Sequence, residues 1–152
     1  MSRPQLKRDP LDSRDLLPMT TDHAAALFQA FVLPHRRDRY AELLKSPKGR
    51  AKLRAALPHL RDLDPQYARP IKPSNLNAAA IADELRARGA PKECYVVSES
   101  SKLDGQILSL DDALDAVVGR GAGALISCLP GRLGYYEGED PGERYILERA
   151  AV

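Results

Sequence analysis

Apolar positions recur at two periods along this chain, and the change of period divides it. From residue 24 the spacing is helical: Leu27, Phe31 and Val32 repeat on one stripe that Phe28 widens. Thr20-Thr21-Asp22 supplies the capping residues ahead of it, and Pro34 ends that helix or restarts the next. Tyr40, Leu43 and Leu44 then fall at i, i+3, i+4. Ser46-Pro47 opens a further helix, with serine as cap and proline in the first turn, and Leu53 and Leu57 carry its apolar face. Asp62-Leu63-Asp64-Pro65 reads as a stop. Ala68–Pro73 reads as an extended connector, because Pro70 and Pro73 each turn the preceding residue away from helix.

A helix capped by Asn75 follows, with Leu76, Ala80, Ile81 and Leu85 in one stripe and Gly89 as its stop. The period then shortens. Cys94–Ser98 reads as a strand, Asp104-Gly105 as a turn, and Gln106–Leu108 as the returning arm of a hairpin. Ser109 caps a helix with Leu110, Leu114, Val117 and Val118 on its face. Ala124–Leu129 lacks alternation, as a strand covered on both sides does. Pro130-Gly131 turns it into Leu133–Glu137, and Glu143–Arg149 alternates as an outer strand, with Tyr145 and Leu147 on one side and Ile146 and Glu148 on the other. The back half is thus α-β-β-α-β-β-β, and its hairpins predict an α+β fold. A short helical N-terminal half packs on or beside a small, mostly antiparallel sheet carrying two helices. In domain terms this gives an arm over 1–20, a basic helical region over 21–67, a connector over 68–75 and the sheet domain over 76–152, with one compact domain overall as the alternative.

Charge adds a second division. Residues 1–92 hold 18 Lys and Arg against 10 Asp and Glu, hence +8, and residues 93–152 hold 5 against 11, hence −6. Such asymmetry marks either a surface for polyanions or two halves that attract each other, within one chain or between two. The cations concentrate between Arg36 and Arg61: Arg36, Arg37, Arg39, Lys45, Lys48, Arg50, Lys52, Arg54 and Arg61 face few acids, namely Asp38, Glu42 and Asp62 at the edge. Phosphates are drawn to such a stretch through counterion release, and an acidic protein surface through simple Coulomb attraction. Tyr40 is the one aromatic interleaved, so a stacking platform for single strands is not predicted. Long basic stems covering apolar surface, or docking onto the acidic half, account for the same residues without a ligand.

Other motifs carry less chemistry. His35-Arg36-Arg37-Asp38 is not a kinase catalytic loop, since its spacing is wrong and no glycine-rich loop precedes it. Gly119-Arg120-Gly121-Ala122-Gly123 follows a helix and opens a strand, the reverse of a phosphate-cradling loop. His23, His35 and His59 share no ligand spacing, and neither metal nor cofactor is expected. An enzymatic alternative, a small hydrolase, would place its site at strand ends near Ser98–Asp104 and Cys128–Arg132, with a thiol activated beside Arg132, or with Asp104 and a second acidic cluster, Glu137, Glu139 and Asp140, as acid and base or around Mg²⁺; a polar hairpin tip accounts for the same acids. Tyr135 and Tyr136 should point to opposite faces of their strand, one buried and one exposed, and an exposed tyrosine beside Arg132 would suit a binding surface or self-association.

Composition supports a globular, soluble chain: 43% of residues are hydrophobic and 29% charged. No apolar run reaches the length of a membrane span, and no apolar segment follows the basic N-terminus as a secretory signal requires. The cysteines, Cys94 and Cys128, sit in strand-like runs and read as buried free thiols of a reducing, cytoplasmic compartment, with a disulfide between neighbouring strands as the alternative. The expected function is a binding or adaptor module that meets nucleic acid or an acidic protein. Its expected contact residues are Arg36, Arg37, Arg39, Lys48, Arg50, Lys52 and Arg54, with Arg132 and Tyr136 on the sheet. The hydrolase and a structural homodimer, basic half against acidic half, are the alternatives. No membrane partner is expected.

Overall fold

The computed structural model describes residues 23–150. The arm over 1–20 and the cap at Thr20–Asp22 lie outside the described residues. Helix α1 runs through residues 23–31. A 3-10 turn over Pro34–Arg36 leads into α2 (Arg37–Leu43) and α3 (Pro47–Ala56), which Ser46 caps by accepting from Gly49 N at 3.0 Å. Then come β1 (Ala68–Pro70), α4 (Ala78–Ala87), β2 (Glu93–Ser98), β3 (Ile107–Ser109), α5 (Leu110–Val117), β4 (Ala124–Leu129), β5 (Leu133–Glu137) and β6 (Arg144–Glu148). The predicted α-β-β-α-β-β-β order of the back half is the observed one, and the class is α+β.

All six strands join one antiparallel sheet in the order β1-β6-β5-β4-β2-β3. Rows of side chains cross it. Val96, Ile126, Tyr135 and Ile146 stand in one row, and Val97, Leu125, Tyr136 and Tyr145 in the next, on the opposite face. The first row packs under α4 and α5, against Ile81, Leu85, Leu110 and Leu114. The second packs under α1, α2 and α3, against Leu27, Phe28, Phe31, Leu53 and Leu57. The sheet is therefore the middle layer of three, with an apolar core on each side.

This layering corrects three expectations. Tyr135 and Tyr136 point to opposite faces as predicted, but both are buried, because helices cover both faces. Residues 68–70 of the connector pair with β6 in register Ala68↔Leu147 to Pro70↔Tyr145, so Glu143–Arg149 is an inner strand and β1 is the outer one. Proline at the end of β1 suits an edge, where an amide hydrogen is not needed. Finally, α4 is capped by Asn77, whose Oδ1 accepts from Ala80 N at 2.8 Å, while Asn75 sits in a preceding 3-10 turn. Ser109 caps α5 as predicted, accepting from Asp112 N at 3.1 Å. Gly89 ends α4 with φ +104°, and Gly105 turns the β2–β3 hairpin with φ +79°. Cys94 and Cys128 are free and buried.

Candidate functional site

The basic stretch divides by helical phase. On α3, Arg50 and Arg54 lie one turn apart on the stripe of Leu53 and Leu57, and that stripe faces the sheet. Arg50 grips Asp104 with both ends of its fork, Nε to Oδ2 and Nη2 to Oδ1, each at 3.0 Å. The same Nη2 donates to Tyr95 Oη at 2.8 Å. Arg54 donates to the carbonyls of Ser98 and Glu99 at 2.9 and 3.1 Å, and its Nε lies 3.6 Å from Asp104. Asp104 in turn accepts from Ser98 N at 3.0 Å, which closes the β2–β3 turn beneath the two arginines. Burial opposes the charge on Arg50, but the hydrogen bonds it donates to Asp104 and Tyr95 outweigh that and hold its pKa above the usual guanidinium value.

This seam fastens the helical half to the sheet, and others reinforce it. Arg61 pairs with Glu143 at 2.9 Å, and His59 lies 3.6 Å from Glu139. Part of the charge asymmetry between the halves is therefore satisfied inside one chain. Arg36 and the Tyr40 hydroxyl converge on Asp62 Oδ2 at 3.2 and 2.7 Å, and Arg37 donates to Val32 O at 3.1 Å. Tyr40 is buried against Phe28, ring centroids 5.1 Å apart, so no aromatic is presented among these cations.

What remains outward is smaller than the stretch in the sequence. Arg39 on α2, and Lys48 and Lys52 one turn apart on α3, are exposed and have no ion-pair or side-chain hydrogen-bond partner among the described residues. Exposed Ala51, Ala55 and Ala56 lie along α3 beside the lysines. Arg132 is exposed in the β4–β5 turn, and that turn approaches α1. Tyr136 is enclosed: its hydroxyl donates to Leu57 O at 2.6 Å and accepts from Leu60 N at 3.3 Å. Arg132 and Tyr136 do not share a surface.

The strand ends named for an enzyme are occupied by this packing. Both oxygens of Asp104 are engaged, and Ser98 Oγ accepts from Ser100 N at 2.9 Å. Burial pushes the Cys128 thiol up, as does neighbouring Cys94, and Cys94 is pushed up to about 12 by burial and then by Glu93. Thiols held protonated are poor nucleophiles. Among the described residues no three His, Cys, Asp or Glu side chains converge in a metal-binding group. None of the helices among the described residues is long and apolar enough to cross a membrane.

Two further polar clusters are buried, although the sequence reads Glu137 with Glu139 and Asp140 as a polar tip and gives His23 no role. Glu137, 1% exposed, accepts from Gly119 N at 3.1 Å, from Gly121 N at 3.0 Å and from Tyr135 Oη at 2.8 Å. Arg144 Nε lies 3.1 Å from the same carboxylate but without hydrogen-bond alignment. The glycine loop between α5 and β4 does hold an anion on its amides, and that anion is a side chain of the protein itself. Buried His23 lies with Nδ1 2.6 Å from Ser127 Oγ and stacks on Tyr95 at 5.7 Å. The sequence signal for the first is an acid closing an otherwise apolar β5, Leu133-Gly134-Tyr135-Tyr136-Glu137. For the second there was none.

Comparison with protein families, curated proteins and solved structures found no match to this chain.

Proposed function

We propose that this protein is a binding module and that the α2–α3 surface receives an acidic segment of another protein. The observation that carries this reading is the set of cations left outward and unpartnered among the described residues: Arg39 on α2, and Lys48 and Lys52 on α3, the helix that Arg50 and Arg54 lock to the sheet. A surface held rigidly loses little conformational entropy when it binds. Three unpaired cations, two of them beside exposed alanines on α3, suit a few carboxylates and short apolar contacts. Duplex nucleic acid is favoured less. Its binders commonly neutralise about six to ten phosphates, and the aromatic that could stack on single strands, Tyr40, is buried.

The test uses the full chain with a poly-glutamate peptide, duplex DNA and single-stranded DNA as probes, titrated at low and at moderate salt. The expected result is saturable peptide binding that weakens with salt, drops at least tenfold in R39E/K48E/K52E, and exceeds the affinity for either DNA. Tighter binding to DNA would replace the acidic protein by nucleic acid. No binding of any probe at low salt would end the reading.

A further inference from the structure

The opposite face of the sheet carries a second concentration of unpaired positive charge, and this one surrounds a cavity. The row Val96–Ile126–Tyr135–Ile146 ends, by strand register, at Arg69 of edge strand β1. Arg69 therefore stands on the same face as α4, beside Ile146 and not along the sheet's outer edge. Between this strand end, the segment after it and α4 lies a cavity of about 290 Å³. Ile71, Ile81 and Ile146 line it with hydrocarbon. Arg69 and Lys72 stand at its wall, and neither side chain has an ion-pair or hydrogen-bond partner among the described residues.

The remaining charges at the wall are accounted for. Arg88 donates to Glu84 at 2.6 Å and also to Glu148. Glu84, the acid among the lining residues, is therefore engaged, and the excess at the cavity is the pair Arg69 and Lys72. Protection of the edge strand against pairing does not explain this placement, since Pro70 already interrupts the edge and Arg69 stands, by register, on the face that carries α4, where it remains exposed. An apolar recess with a guanidinium fork and an ammonium at its mouth is complementary to one kind of ligand.

We infer that this cavity is a binding site for a small oxyanion carrying an apolar body: a carboxylate or phosphate monoester whose head meets Arg69 and Lys72 while its hydrocarbon or aromatic part lies on Ile71, Ile81 and Ile146. The site is on the other face of the sheet from α2–α3 and stands independently of the function proposed above.

The experiment is a titration of the full chain with octanoate, phenyl phosphate, octanol and inorganic phosphate, followed by backbone amide NMR. Octanoate or phenyl phosphate should bind saturably, with shifts concentrated at residues 69–72, 80–88 and 144–148. Octanol and inorganic phosphate, each lacking one half of the ligand, should bind at least tenfold more weakly. In R69Q/K72Q, which changes only exposed side chains, binding should fall at least tenfold while the urea midpoint stays unchanged. Which amphiphile binds more tightly identifies the head group. Inorganic phosphate binding as well as the amphiphiles would reduce the site to two surface cations and overturn the inference. So would shifts centred on α2–α3, undiminished binding in the variant, or no saturable binding of either amphiphile.

Discussion

Glu137 is the residue on which the glycine-rich loop depends. A carboxylate taken fully out of water is costly unless its lone pairs are met, and here two loop amides and one phenol donate to it while the Arg144 guanidinium supplies the opposite charge beside it. The arrangement also sets the Tyr135 phenol, whose pKa is raised by burial and then by the adjacent carboxylate. Glu137→Gln keeps the shape but removes the charge opposite Arg144, which is itself mostly buried, and turns an NH₂ toward groups that donate. Breaking a buried pair by neutralising one member costs about 3–5 kcal/mol, and urea unfolding should register a loss at the lower end of that range. A loss below about 1 kcal/mol would mean that water or rearrangement already satisfies Arg144. Replacing both residues by apolar ones of similar volume should return much of the loss, because what destabilises is the stranded charge.

At the scale of elements, α3 shows what a sequence displays and what it hides. Its cap, its proline start and its stripe were all legible, since each is a local effect of backbone and side chain within a few residues. The division of its cations was legible in principle: Arg50 and Arg54 share the phase of Leu53 and Leu57, whereas Lys48 and Lys52 do not. What no local pattern could supply was the acceptor, because Asp104 lies 54 residues away and its own neighbourhood reads as a polar hairpin tip. The misplaced cap of α4 has a different cause. Pro73-Ser74-Asn75 carries cap-like chemistry, but the chain makes a 3-10 turn there and the extended residue that caps the helix is Asn77. Asp104→Ala tests the seam. It strands two half-buried guanidiniums and the Ser98 amide, and it should cost about 2–3 kcal/mol, discounted for the partial exposure of the arginines. Hydrogen exchange should quicken most in α3 and the β2–β3 turn, and least in β4 and β5. Uniform acceleration across the chain would show instead that the seam is inseparable from the global fold.

For the molecule as a whole, the layered arrangement was the part least legible in sequence. Hairpin signals and an unalternating β4 point to an antiparallel sheet with a covered central strand, but not to which helices cover which face, because that depends on contacts between distant residues. Coverage of both faces has a consequence that can be measured by pH. It buries two thiols on one face and tyrosines on both, and each is held protonated beyond its ordinary range: Cys94 up to about 12, Tyr136 up to about 12, and Cys128, Tyr135 and Tyr40 raised as well, in each case chiefly by burial. In the unfolded chain cysteine loses its proton near pH ~8.5 and tyrosine near ~10. Above those values the unfolded state binds fewer protons than the folded one, so stability falls as pH rises. Below pH ~8 these groups are neutral in both states, and their contribution is fully present. Urea midpoints should thus be insensitive to these groups from pH 6 to 8 and decline from about pH 8.5, the cysteines first. In C94A/C128A the decline attributable to thiols is gone, and the alkaline limb should begin near pH ~10 with the tyrosines. A double variant that still weakened from pH 8.5 would place the titrating group elsewhere.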